Sequence, residues 1–189
     1  MFRSSLERFQ TAIDEIHRQC DRWFPGWEST DWSGREPPAE TPPAFRIGHY
    51  AVGLDRIEGG LPDDERLRVP ETEFRLPALL PFPDRSLLHV QTRGGGGERG
   101  IELVQSAMLR MLTSMPPGKV RFTIIDPVGL GENFSAFMHL SDYEEQLVTS
   151  RIWTDPTHIE QRLTDLAEHM ENVIQVYLRN EFETIEEYN

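Results

Sequence analysis

Five glycines follow a strand-like run of the chain in the arrangement of a phosphate-binding turn. The run covers residues 86–92, and a helical spacing of apolar residues begins after the last glycine. Strand, glycine loop and helix in this order are typical of sites where backbone N–H groups and a helix N-terminus bind an anion. The predicted cofactor-binding residues of this loop are Gly94, Gly95, Gly96, Gly97 and Gly100.

The residues after the loop do not complete a nucleotide motif. Gly95 and Gly100 have the glycine spacing of G-x-x-x-x-G-K-[ST]. Ile101 stands where that motif has the lysine that reaches the phosphates, and Glu102 where it has the hydroxyl that binds magnesium. A carboxylate at 102 repels phosphate. We predict a nucleotide-loop scaffold without its chemistry, and a flexible surface loop is the simpler explanation that the residues leave open.

Asp126 is a further candidate for this site. It ends a second strand pattern at 119–126, and ligands of parallel sheets approach the carboxyl ends of the strands. Asp126 is then expected beside the glycine loop. Its carboxylate is either a polar group of the nucleotide site or an ordinary strand-end cap, and the missing lysine favours the cap.

No other pattern predicts catalysis or metal binding. The histidines are scattered; His158 and His169 would lie about 16 Å apart along one helix, too far to share an ion. No serine stands in a G-x-S-x-G motif. We therefore predict no catalytic residue and no metal ligand. Cys20, the single cysteine, excludes an internal disulfide and is predicted to pack on a helix face.

The charge of the chain limits its partners. Its 189 residues carry a formal net charge of -13, and Lys119 is the only lysine. A surface that binds DNA needs clustered Lys and Arg to displace counterions, so we expect no direct nucleic-acid binding by this segment. No apolar run approaches the roughly 20 residues of a membrane span, and the N-terminus lacks a signal-peptide pattern. These features and the cysteine content predict a cytoplasmic location.

Pattern also divides the chain into four segments, which are 1–24, 25–43, 44–85 and 86–189. The first is an N-terminal amphipathic helix whose apolar stripe docks on the domain or on a helix elsewhere in a longer protein, and docking on the domain is favoured. The second is a Pro-rich linker in which Trp27 and Trp32 are predicted surface anchors. The third has the period-two alternation and turn residues of a small β-rich segment.

The fourth segment predicts an α/β core. A strand at 86–92, a helix from Gly100 to Leu112 and a strand at 119–126 form a βαβ unit, whose strands belong to one largely parallel sheet. Asp155 and Pro156 predict the start of a long helix. The apolar stripe of that helix fits a coiled-coil seam or a helix packed flat on a sheet, and the sheet is favoured.

The serial order of these motifs resembles the FtsK/SpoIIIE branch of the HerA/FtsK ATPases. The resemblance covers about Ser86 to Asn189, through the glycine loop, KVRFTIIDP, the long helix and the closing EEYN. In that family a P-loop strand and helix precede a strand that ends in Ile-Asp-Pro, here 125–127. The departures are Ile101 for lysine and Glu102 for serine or threonine. The family's hydrolytic acidic strand is expected beyond the end of this segment.

The resemblance implies a partial, degenerate RecA-like P-loop NTPase core with a parallel βαβ unit, preceded by the β-rich segment and the N-terminal helix. It implies a non-hydrolysing module that is a structural or regulatory part of a larger DNA- or protein-translocase-like protein. The expected partners are the rest of that ATPase chain or neighbouring ATPase modules, with a homo-oligomer left open. No bound cofactor is expected. The resemblance alone makes binding of ATP with Mg²⁺ possible.

Two alternatives stay open at this point. The segment is an ATP-binding motor fragment that is active only in the full protein, or it is a protein–protein interaction module that uses its helices and its acidic surface.

Overall fold

The computed structural model describes residues 2–28, 31–62, 64–67, 72–83, 86–145, 147–148 and 151–178. The fold is α/β, with helices and a two-stranded antiparallel sheet. The chain forms two compact units, Met1–Val120 and Arg121–Asn189, which are taken separately below. Within the described ranges, no helix combines the length and the apolar character that crossing a membrane requires.

The first unit begins with the predicted amphipathic helix, α1, at Phe2–Trp23. Ile13 and Cys20 of its apolar stripe are buried, whereas Phe9 and Ile16 stay partly exposed. The ring of Phe9 meets that of Phe74 edge-on, with 5.2 Å between the ring centroids. The prediction that this helix docks on its own domain is confirmed.

A β-hairpin lies against α1. Strand β1 (Ala44–Gly53) pairs antiparallel with β2 (Glu73–Pro81), and the register shifts between Arg46 and Gly48. The alternation of side chains between the two faces turns Phe45 and Phe74 into the core. The predicted β-rich segment is therefore a hairpin with one covered face.

The helix predicted from Gly100 to Leu112 is present as α2 at Gly97–Ser114, so it extends beyond the prediction at both ends. The helix stops because Met115 is extended and Pro116 follows, and a residue before proline disfavours the helical region. Its buried side chains, Met108, Arg110 and Ser114, all lie in its C-terminal half. This half of α2 is anchored in the core.

The core of the unit forms where these elements meet. Cys20 and Phe24 from the end of α1 pack with Phe45 of β1 and with Met115 after α2. Burial raises the pKa of the Cys20 thiol above its ordinary value, although the charge of Arg46 opposes the shift. The predicted packing role of Cys20 fits this buried position.

Three consecutive carbonyl groups, that of the last residue of α1 and those of the two residues after it, accept hydrogen bonds from three arginines. Arg35 Nη2 donates to the carbonyl oxygen of Trp23 at 3.2 Å, Arg46 Nη2 donates to that of Phe24, and Arg110 Nη1 donates to that of Pro25 at 2.9 Å. We call this set the arginine cap. Carbonyls at a helix C-terminus lack intrahelical partners and carry partial negative charge, so cations stabilise them.

Arg46 is buried and, besides its bond to a carbonyl, forms an ion pair. Its side chain is 8% exposed, and its Nη1 donates to Asp21 Oδ1 at 2.6 Å. The guanidinium of Arg46 is therefore held by an ion pair with Asp21 and a hydrogen bond to the carbonyl of Phe24.

Arg110 has a carbonyl and aromatic rings as its neighbours in the core. Its guanidinium lies 3.8 Å from the centroid of the Trp27 ring. Burial, reinforced by the charge of Arg46, lowers the pKa of Arg110 to about 10, so the side chain stays protonated at neutral pH. A buried guanidinium over an indole face is a favourable cation–π contact.

The Pro-rich linker is pinned to the unit by its two tryptophans. The rings of Trp27 and Trp32 stack with centroids 5.7 Å apart, and Trp32 Nε1 donates to the carbonyl of Trp27 at 3.1 Å. Arg110 covers one end of this stack and Arg35 lies over Trp32 at the other. The prediction that these tryptophans are anchors is confirmed.

The second unit contains a short parallel pairing. Phe122 pairs with Val148 and Ile125 with Trp153, and Trp153 N–H donates to the carbonyl of Ile124 at 2.9 Å. The predicted strand at 119–126 does not form, because its described residues make only these two isolated parallel bridges; the predicted parallel βαβ sheet is not seen among the described residues. The connection between the two bridged segments carries a 3-10 helix at Glu132–Asp142.

The long helix α3 spans Pro156–Val173 and continues as a π-helical turn at Ile174–Leu178. Asp155 caps it as predicted, since its Oδ1 accepts from the N–H groups of Thr157 and His158 at 3.0 and 3.2 Å. The favoured expectation of a stripe packed flat on a sheet was wrong: none of the helix residues is buried. The described second unit has only isolated bridges, which form no sheet face wide enough to cover the helix.

The apolar stripe of α3 is half exposed. Ile159, Leu166 and Val173 are partly buried, whereas Leu163, Met170 and, in the π-helical turn, Ile174 are 52%, 63% and 52% exposed. Apolar patches of this kind usually mark surfaces that another structure covers.

The arginine cap gives a testable stability difference between two hairpin arginines. We expect Arg46→Met to lower the unfolding free energy by about 2 kcal/mol, because the change leaves the carbonyl of Phe24 and the carboxylate of Asp21 without their charged donor. Urea denaturation followed by circular dichroism measures this.

The matched control is Arg75→Met on β2, whose side chain is exposed. We expect that change to shift the unfolding free energy by no more than about 0.5 kcal/mol. Equal effects of the two substitutions would mean that Arg46 does not hold the end of α1.

Candidate functional site

The glycine loop is an exposed turn that runs directly into α2. Gly94–Gly96 form a single 3-10 turn, and Gly97 is already helical with φ -57 and ψ -48. Gly94 has φ 60, in the left-handed region that L side chains disfavour. The loop and the N-terminus of α2 are thus one continuous structure, as the sequence predicts.

A close approach explains Gly100. A Cβ atom on this residue would lie 2.7 Å from Thr92 Cγ2 and 3.5 Å from Val90 Cγ1. Real Cβ atoms do not come this close to a neighbour, so the side chain of Thr92 would have to move. The segment before the loop therefore folds back against the first turns of α2, and Gly100 permits the contact.

The start of α2 has no side-chain cap. Gly96 is the residue at the cap position, and no side chain accepts from the first N–H groups of the helix. Glu98 lies in the first turn, where a carboxylate complements the positive end of the helix dipole. The negative charge at this end of the helix is supplied by the chain itself.

The donor set at this turn does not fit Mg²⁺-ATP. Ile101 is partly buried and Glu102 is exposed at the positions of the phosphate-binding lysine and the magnesium-binding hydroxyl. Two carboxylates, Glu98 and Glu102, stand within the first two turns of the helix. What the turn offers an anion is backbone N–H groups and the exposed side chains of Arg93 and Arg99, but no lysine or hydroxyl at the positions of the motif.

The strand predicted before the loop does not form. Residues 86–93 have no strand structure and make no ladder with other described residues of their unit. Leu87 is 86% exposed. A strand needs a hydrogen-bonded neighbour, and the hairpin of this unit pairs with itself. The prediction of a strand at 86–92 is therefore wrong, and these residues form an irregular segment.

Asp126 acts as a cap within its own loop. Its side chain is buried; Oδ1 accepts from the N–H of Gly129 at 2.8 Å and Oδ2 from Asn133 Nδ2 at 3.2 Å. Both carboxylate oxygens thus hold the turn that follows residue 126. Asp126 belongs to the second unit and the glycine loop to the first, and a shared nucleotide site stays a prediction.

Sequence reasoning missed a cavity of about 530 Å³ beside the end of α1. It is lined by residues of α1 and of the Pro-rich linker, including Arg22 and Arg35. Spacing along the chain contains no signal for it, because the two arginines come from separate segments. The convergence of two arginines in this strongly acidic protein becomes visible only in the structure.

Comparison of the chain with models of known families, with curated proteins and with solved structures gives no match.

Two glycine substitutions test the close approach in the loop. We expect Gly97→Ala to raise the unfolding free energy by about 0.5 kcal/mol, because its Cβ would point into open space and alanine favours the helix. Gly100→Ala should lower it by about 1 kcal/mol, because the new methyl group collides with Thr92. Thermal or urea unfolding of the two variants gives both values.

The Gly100→Ala substitution is then made in a Thr92→Ser variant, because serine lacks the Cγ2 atom that the new methyl group would meet. In that background Gly100→Ala should become as favourable as Gly97→Ala. If Gly100→Ala is already stabilising in the wild-type chain, the segment before the loop does not lie against α2.

Proposed function

We propose that this chain is a degenerate, non-hydrolysing module of the FtsK/SpoIIIE type, with a structural or regulatory role in a larger DNA- or protein-translocase-like protein. The observation that carries the proposal is the glycine loop. It turns tightly onto the N-terminus of α2 and exposes backbone N–H groups, while Ile101 and Glu102 occupy the positions that would contact phosphate and metal. This combination is that of a phosphate-loop shape without its charged groups.

The missing groups argue against catalysis by this module. Phosphoryl transfer depends almost entirely on positioning and on electrostatic stabilisation of the transferred group. A lysine supplies part of that stabilisation as a point charge, and Ile101 cannot. Glu102 adds repulsion where the family has a neutral hydroxyl. Hydrolysis is therefore assigned to other modules of the parent protein.

The second unit supports a role within a larger protein. Its parallel pairing is short, and parallel strands are usually covered on both faces. The apolar stripe of α3 is half exposed. Both features are expected where further strands or a neighbouring ATPase module complete a RecA-like core. On this proposal the protein works in the cytoplasm, and its partners are the rest of the ATPase chain, neighbouring modules or further copies of itself.

A protein-interaction module is the second candidate, and the half-exposed stripe of α3 favours it as well. It differs from the first in requiring no relation between the glycine loop and phosphate. Restoring the two missing groups therefore separates the two candidates.

The test is isothermal titration of the chain with ATP and Mg²⁺. We expect no binding by the wild-type chain at ligand concentrations below about 1 mM. The double variant Ile101→Lys with Glu102→Ser should bind at least tenfold more tightly, because it returns the lysine and the hydroxyl to a loop of the right shape.

The matched control is Glu102→Ser with Gln105→Lys, which makes the same change of net charge but puts the lysine one turn further along α2. It should bind no better than the wild-type chain. Micromolar binding and turnover by the wild-type chain would establish an active nucleotide site instead. Failure of the double variant to bind would show that the loop is not a phosphate cradle, which leaves the interaction module.

A further inference from the structure

The cavity at the end of α1 has the size and the lining of a small-ligand site. Its volume of about 530 Å³ falls in the range of small-molecule sites, and it is an open cleft that leaves one side of a ligand in solvent. Its walls come from the last two turns of α1 and from the Pro-rich linker, all within the first unit. The lining residues are Gln19, Arg22, Trp23, Arg35, Pro38, Ala39 and Glu40.

The charged groups of this cavity carry a net positive charge in a chain with a net charge of -13. Arg22 and Arg35 supply two positive charges and Glu40 one negative charge. Arg22 lies in the last turn of α1 and forms no ion pair with the described residues. The cavity is therefore suited to an anion with a single charge.

Arg35 has donors to spare. Nη2 donates to the carbonyl of Trp23 at 3.2 Å, and Nε is buried without an acceptor among the described residues, so a ligand can reach only the terminal guanidinium nitrogens. A guanidinium carries five N–H donors. Its position is held by the Trp32 ring, whose centroid lies 5.7 Å away. The group is thus fixed in place before any ligand arrives.

The rest of the lining is apolar. The ring of Trp23 and the side chains of Pro38 and Ala39 offer a surface for a hydrocarbon or aromatic group. Gln19 adds an amide that can donate to an oxygen atom. Guanidinium pairs bind carboxylates through planar, two-pronged hydrogen bonds.

We propose that this cavity binds an apolar monocarboxylate, with its carboxylate between Arg22 and Arg35 and its apolar part against Trp23. Glu40 selects against anions with two charges, since one charge already neutralises the site. The carboxylate belongs either to a free organic acid or to the C-terminus of a peptide. The site uses no residue of the glycine loop, so a result against the proposed function would not count against this site.

The experiment follows the indole N–H signal of Trp23 by NMR, with the full ¹⁵N-labelled chain at low ionic strength. The probes are hexanoate, N-acetylphenylalanine, N-acetylphenylalaninamide and inorganic phosphate. We expect saturable shifts with the two acids and dissociation constants of about 0.1–10 mM. The uncharged amide should cause none, and phosphate should bind at least about fivefold more weakly. Tighter binding of hexanoate indicates a free acid, and tighter binding of N-acetylphenylalanine indicates a peptide C-terminus.

Three variants, one of them a control, connect the signal to the cavity. Arg22→Gln should weaken the binding of both acids about tenfold, because it removes one charged donor. Arg18→Gln, one turn earlier on the same helix and outside the cavity, should leave it unchanged. Glu40→Gln should tighten it, which keeps the test decisive if Arg22→Gln folds poorly. Absence of a saturable shift, phosphate binding as tight as that of the acids, or equal weakening by Arg18→Gln would overturn the proposal.

Discussion

The first unit depends on the way in which the end of α1 is satisfied. A helix leaves its last carbonyl groups without partners, and a buried helix end must find donors elsewhere. Here one such carbonyl, that of Trp23, and the next two along the chain accept from the three guanidinium groups of the arginine cap, which come from the linker, from β1 and from α2. One helix end thereby joins three segments that are far apart along the chain.

The arginine cap is also the main electrostatic feature of an otherwise acidic protein. Its charges are close enough for Arg46 to contribute to the lowered pKa of Arg110, so the cluster costs stability through mutual repulsion. The partial negative charge of the helix end, Asp21 and the indole face of Trp27 offset that cost. A surplus of positive charge remains at the cavity beside it, where Arg22 and Arg35 meet a single carboxylate.

This anchoring determines how the glycine loop is presented. The C-terminal half of α2 is fixed by Arg110, Met108 and Ser114, whereas its N-terminal turn and the loop are exposed. The close contact at Gly100 holds the segment before the loop against the first turns of α2. A loop held in this way can keep its shape after the groups that contact phosphate are lost, which is the condition that the proposed function requires.

The helices α1, α2 and α3, the β character of 44–85 and the cap at Asp155 could be predicted because each depends on residues close together in the chain. The strand at 86–92 could not, because an alternating pattern shows that a segment can be extended but not which neighbour pairs with it. The half-exposed stripe of α3 is a similar case, since periodicity marks the apolar face but not what covers it. The arginine cap and the cavity were beyond prediction, since they join residues separated by 12 to 85 positions. For Asp126, the hydrogen bonds from Gly129 and Asn133 agree with the prediction that favoured a strand-end cap over a group of the nucleotide site.

Native-state hydrogen exchange tests most directly whether the arginine cap makes one cooperative unit of these segments. The amides of the last turns of α1, of β1 and of the C-terminal half of α2 should open together, with one free energy and one denaturant dependence. Exchange of the α1 amides at a clearly lower free energy, with no denaturant dependence, would contradict the account, because α1 would then open without breaking its contacts to β1 and α2.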